Sequence, residues 1–183
     1  PQAANTVADQ ETIELQLDAA TTEAFLKDAP AAYRTQANDL LLTALGRALC
    51  AWSGHERILV DLEGHGREDL FAHIDLSRTV GWFTALFPVA LAPQGSLGEA
   101  IKRVKEALRR IPHKGLGHGV FRHLGDAAQR EALQALPRAQ VVFNYLGQFD
   151  GGFGDDAPWV PADEAGGAQV DGGAPLTHEF SVN

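Results

Sequence analysis

The sequence of 183 residues contains no methionine and only one cysteine, Cys50. A single thiol cannot close an internal disulfide, and its place in an apolar helical pattern reads as a small buried hydrophobe. The missing methionine, with Pro1 as the first residue, leads us to expect a piece of a longer polypeptide. Basic residues are scarce, with 15 Lys and Arg against 24 Asp and Glu and a formal net charge of −9. That balance argues against non-specific nucleic-acid binding, which needs a basic surface. No apolar run approaches the length of a membrane span and no signal peptide is visible, so we expect no membrane partner and a cytoplasmic setting. There is no internal repeat. What is plentiful is apolar residues, at 45%, enough for a sizeable core in one large domain or half of a two-lobed one.

Residues 1–9 lack periodicity and read as a tail or linker. Thr12 to Leu17 alternate polar and apolar, as a strand with one wet face does. Thr21 or Thr22 can cap a short helix through Lys27 that Pro30 would end. A longer helix is expected from Asn38 to Ser53, with Leu41, Leu42, Leu45, Ala48, Leu49 and Trp52 as its buried stripe and Gly54 as its stop. Ile58 to Leu62 form a central strand. Phe87 to Leu91 form another, which Pro88 confines to an edge, a bulge or a strand start. Ser96 and Glu99 make a capping box for a helix to about Arg110. After Pro112, Gly115 to Gly119 reads as a flexible segment, Asp126 to Leu136 as a helix and Ala139 to Leu146 as a buried strand. A long loop rich in glycine and aspartate follows near 147–175, and Leu176 to Val182 begins a last strand that stops as if cut. Strands alternating with helices indicate an α/β sandwich with a mixed sheet.

The chemistry concentrates in Glu63-Gly64-His65-Gly66-Arg67-Glu68, where the central strand delivers two carboxylates, an imidazole and a guanidinium to a glycine-flanked turn. Glu63 reads either as a surface carboxylate paired with Arg67, or as a general acid or base in a cleft, its pKa raised by burial. His65 reads as a second proton carrier or as a residue that fixes the loop; Arg67 orders the turn or pairs with Glu68. The residues leave these alternatives open. His113, His118 and His123 recur every five residues, about 140° apart on a helix, which is not a ligand face, so no metal is expected. Lys102, Arg103, Lys105, Arg109, Arg110 and Lys114 form the one dense basic run, a solvated helix face or a surface that steers an acidic partner. Asn144 and Tyr145 interrupt an apolar strand and would need polar partners if buried.

Together these pieces resemble the epimerization domain of non-ribosomal peptide synthetases, a branch of the condensation superfamily. Asp39 to Gly46 resembles the family's helix motif, and Glu63 to Glu68 matches its Glu-Gly-His-Gly-Arg-Glu signature without a mismatch. Arg78-Thr79-Val80-Gly81-Trp82-Phe83-Thr84 with Phe87-Pro88 is similar to the next motif. Pro112 to Gly119 is similar to the glycine-rich one, with His118 where an aromatic is more usual. Phe143-Asn144-Tyr145-Leu146-Gly147-Gln148 resembles the last.

The resemblance implies a chloramphenicol-acetyltransferase-like sandwich, and one lobe of a two-lobed domain. Residues 10–183 would be the C-terminal lobe, cut before its final elements, with the long loop reaching toward the other lobe. The partner N-terminal lobe would carry a His-His-x-x-x-Asp-Gly motif, because no His-His pair occurs here. The implied reaction inverts L to D at Cα of an aminoacyl or peptidyl thioester on a peptidyl carrier protein. No cofactor is bound directly; the substrate rides on the carrier's phosphopantetheine arm. Glu63 would be catalytic, with Tyr145 or Asn144 orienting the thioester or shedding water, and His65, Arg67 and Trp82 supporting the loop or substrate. Lys102, Arg103 and Lys105 would meet the carrier protein. The isolated lobe is expected to be inactive. The alternatives are a condensation-type acyl-transfer lobe and a non-catalytic carrier-docking lobe.

Overall fold

The computed structural model describes residues 5–147, 164, 166–168 and 170–183. At its centre is a mixed four-stranded sheet in the order β2-β1-β3-β4, with β1 Ile58–Gly64, β2 Ala85–Leu91, β3 Val141–Phe143 and β4 Phe180–Val182. β1 runs antiparallel to β2 and parallel to β3, which is parallel to β4. Among the described residues β2 is therefore an edge strand, where the missing N–H of Pro88 is tolerated.

Alternation along the strands makes one face a core. Val60 and Leu62, with Phe87, Val89, Leu91, Val141 and Phe143, are buried there against Leu42 and Val104. The two helices covering that face are α3, Ala37–Ser53, and α4, Leu97–Arg109. α3 ends on Gly54 in the left-handed region (φ +73°). α4 opens on the expected box, with Ser96 and Glu99 capping each other. The opposite face carries Leu59, Asp61, Glu63, Leu86, Pro88 and Val142 and is more open.

The stripe on α3 agrees with expectation at Leu42, which is buried, and at Leu41, Leu45 and Leu49, which pack against the core, and differs elsewhere. Asp39, Leu40, Leu42, Thr43 and Gly46 are its buried residues, whereas Ala48 is exposed and Trp52 is 74% exposed. Trp52 instead meets the edge of the Phe180 ring, at 5.8 Å between centroids. Cys50 is half-buried rather than fully enclosed, and burial pushes its thiol pKa up.

Other expectations fall to tertiary context. Residues 12–17 form no strand; Ile13, Leu15 and Leu17 stand 60–93% exposed with no neighbouring strand in hydrogen-bonding reach among the described residues. The early helix starts after Asp18, whose side chain accepts from Thr21 N–H, so Thr21 is inside the helix. It then runs on through α1, Ala19–Glu23, a π-type stretch over Ala24–Asp28, and α2, Ala29–Tyr33. Pro30 lies in the first turn of α2 and does not end the helix there; the stop is Arg34, in the left-handed region.

The glycine-rich segment is ordered as a 3₁₀ turn, Pro112–Gly115, and a helix, α5 (Leu116–Leu124), rather than a flexible run. α6, Ala127–Gln134, follows with Asp126 as its cap. Residues 5–8, expected as tail, are tied antiparallel to 172–176: Val7 N–H donates to Ala174 O and Leu176 N–H to Asn5 O, at 2.9 and 2.8 Å. Most of the long loop expected near 147–175 lies outside the described residues. No helix among the described residues is long and apolar enough to cross a membrane.

Candidate active site

Strand alternation decides where Glu63 points. Its neighbours Leu62 and Gly64 belong to the core side, so Glu63 emerges on the open face near the end of β1. Its side chain is exposed, not buried as a cleft base would be, and among the described residues its carboxylate makes no hydrogen bond or ion pair. The pairing with Arg67 is absent because the Arg67 guanidinium is engaged elsewhere. It donates to Leu76 O at 2.8 Å and Gly81 O at 3.4 Å and lies 4.2 Å above the centroid of the Phe83 ring. Two carbonyls and an aromatic face suit a planar guanidinium, which here draws the loop leading into β2 over the turn after β1.

The rest of the turn is held by hydrogen bonds. Arg67 N–H donates to His65 Nδ1 at 3.0 Å, which assigns the His65 proton to Nε2, facing Glu68 Oε1 at 3.1 Å. Glu68 also receives Lys114 Nζ at 3.1 Å, joining the turn to Pro112–Gly115. His113 and Lys114 hold left-handed backbone there at φ +46° and +48°, ahead of Gly115 at +83°. A side chain at Gly115 would meet the Phe87 ring at 2.2 Å, so the motif's glycine is a packing requirement. His65, Arg67 and Glu68 thus frame the loop.

Trp82 does not support it: the ring is 91% exposed, and the aromatic beneath Arg67 is its neighbour Phe83. Nothing in an isolated reading of Trp82-Phe83 distinguishes the two; only the position of Arg67 does.

The strand expected to run through Asn144 and Tyr145 stops at Phe143, the end of β3, so alternation does not govern them. Phe143 pairs with Leu62, so Asn144 and Glu63 are the next residues along adjacent parallel strands. Asn144 N–H donates to Val182 O at 2.9 Å, and Tyr145 is 38% exposed.

The basic run sits elsewhere. α4 covers the core face, so the sheet separates Lys102, Arg103 and Lys105 from Glu63. Lys105 is also committed locally, donating to Tyr33 O at 3.1 Å, as Arg109 does to Arg34 O. No cluster of three metal-ligating side chains occurs among the described residues.

Two residues went unnoticed in the sequence. His178 Nε2 stands 2.9 Å from Asp61 Oδ2, with their side chains only 11% and 19% exposed. Thr177 Oγ1 lies 3.0 Å from His178 Nδ1. Asp61 had one visible signal, a lone carboxylate amid the apolar residues of β1; His178 had none.

The Condensation domain family matches residues 1–164. The chain belongs to the condensation-domain family. It is 46% identical over 185 residues to chondramide synthase cmdD of Chondromyces crocatus, covering 100% of this chain and 5% of that protein. It is 47% identical over 138 residues to gramicidin S synthase 1 of Brevibacillus brevis, covering 74% of this chain and 13% of that protein. Among solved structures it is similar to the epimerization domain from the third module of tyrocidine synthetase B, at 40% identity and a TM-score of 0.73. That match covers 81% of this chain and 34% of that one. This condensation-family chain thus has the chloramphenicol-acetyltransferase-like α/β fold, a mixed sheet packed with helices, and spans a small part of its relatives' length.

Proposed function

We propose that this chain is one lobe, over residues 10–183, of an epimerization domain in a non-ribosomal peptide synthetase. The complete domain would invert L to D at Cα of an aminoacyl or peptidyl thioester carried on the phosphopantetheine of a peptidyl carrier protein. A thioester acidifies its neighbouring Cα–H, because the carbanion delocalises onto the carbonyl as an enolate. Inversion then needs one proton group on each face of that planar species. The observation that carries this reading is Glu63, exposed on the open face at the end of a rigid strand with its turn fixed by Arg67. The 40% identity to a solved epimerization domain supports it.

In this mechanism Glu63 takes the Cα proton from one side. A histidine of the partner lobe's His-His-x-x-x-Asp-Gly motif delivers a proton to the other side of the enolate. Each such group contributes about 10²–10⁴ in rate. Asn144, beside Glu63 at the sheet end, orients the thioester, and Tyr145 helps exclude water. Since half of the chemistry lies on the partner lobe, this chain alone is inactive.

Deuterium wash-in at Cα of the carrier-bound substrate, measured on the full-length synthetase, tests the reading. Glu63→Gln should exchange about 10²-fold or more slowly than the parent; exchange at the parental rate removes Glu63 from the mechanism. A second reading, acyl transfer to an acceptor amine, is favoured by the Condensation family match. It calls for peptide-bond formation without Cα exchange in the same assay. A third, a non-catalytic docking lobe, calls for carrier binding with neither reaction.

A further inference from the structure

β1 is fastened unequally at the residue that matters. On the β2 side its pairing continues through Gly64, opposite Ala85. On the β3 side it ends at Leu62, one residue before Glu63. Among the described residues Glu63 therefore has a ladder partner toward β2 and none toward β3.

The Asp61–His178 pair acts just behind that point: Asp61 is itself paired with Pro88 and Val142, and its side chain adds a further tie on the β3 side. Asp61 lies two residues before Glu63 and on the same face, so the two side chains leave β1 about 7 Å apart. His178 belongs to the approach to β4, two strands away from β1, and its ring spans β3 to reach Asp61 Oδ2 at 2.9 Å. Glu179 N–H and Phe180 N–H both donate to Gln140 O, which fixes the backbone that presents the ring. Thr177 Oγ1, 3.0 Å from Nδ1, occupies the second ring nitrogen, so the imidazole has both its nitrogens partnered and its orientation set. A polar contact this enclosed, linking strands not adjacent in the sheet, is more than the ladder of β4 requires.

We propose that Asp61 and His178 are positioning residues for Glu63: a cross-strand latch that stiffens β1 just before its pairing with β3 stops and so aims the Glu63 carboxylate. This rests on the function proposed above. Neither residue needs to touch the substrate. A displacement of about 1 Å in a reacting group is enough to cost on the order of 10²-fold in rate, so the latch should act on turnover more than on substrate capture.

The test is Cα deuterium exchange by the full-length synthetase, with turnover and KM separated. His178→Ala and Asp61→Ala should each slow exchange about 10- to 100-fold with KM within about threefold of the parent. The double variant should lose no more than the worse single one, because both remove one interaction. His178→Gln, which keeps an N–H donor for Asp61, should recover exchange to within about threefold of the parent. Should His178→Ala not fold, His178→Leu, with similar volume and no donor, replaces it with the same expectations.

Parental exchange in the donor-less variants, failure of His178→Gln to recover exchange, or a loss confined to KM would overturn the latch while leaving the role of Glu63 intact. Parental exchange by Glu63→Gln, or none by the parent, would instead remove the function the latch serves, and the latch with it.

Discussion

Gly66 offers a measurement of how closely the turn after β1 approaches the start of β2. Its φ is +65°, and a Cβ placed there would lie 1.6 Å from Phe83 O and 2.7 Å from Phe83 C. The obstacle is backbone, so no side-chain rotation relieves it. Gly66→Ala should cost about 1–2 kcal/mol for the left-handed backbone and about 1–3 kcal/mol for the forced displacement, roughly 2–5 kcal/mol together. Gly54 supplies the control: its φ is +73°, with nothing within 4 Å of the added carbon. Gly54→Ala should therefore show the backbone cost alone, about 1–2 kcal/mol. Denaturant unfolding of both variants reads the difference, and a parallel loss of Cα exchange in Gly66→Ala would tie the contact to the site. Equal destabilisation of the two variants would refute the close approach of the two loops at Gly66.

Three further outcomes are expected. Ser96→Ala removes the cap of α4 and should destabilise the chain by about 0.5–2 kcal/mol in denaturant unfolding. Burial holds His118 below its usual pKa of 6.5, with Arg122 adding to the effect and Asp61 opposing it. The unfolded chain then binds a proton that the folded chain resists, so stability should fall as pH drops below about 6.5 toward the lowered folded value, and His118→Gln should flatten that part of a pH series of unfolding curves. If Lys102 and Arg103 meet the carrier protein, reversing their charge should weaken holo-carrier binding in titration. Lys105 must be left out of that test, since its bond to Tyr33 O makes any loss ambiguous.

Local patterns determined much of this protein. Hydrophobic spacing and caps marked α3, α4, α6 and the centres of the strands, because helix periodicity and capping chemistry act within a few residues. The Glu63 to Glu68 signature marked the candidate site for the same reason. What failed needed knowledge of distant neighbours. Thr12 to Leu17 has the alternation of a strand, but alternation supplies a face and not a partner, and none is present among the described residues. Trp82 and Phe83 are equivalent in sequence, and only the reach of Arg67 chose Phe83. The Asp61–His178 contact joins residues 117 positions apart. The sequence alone set which segments bury an apolar face and which residues are candidates for the chemistry. Tertiary structure decided which carboxylate faces out, how the turn beside it is fixed, and that the basic helix lies behind the sheet, since those follow from strand order and register, which short-range patterns do not encode.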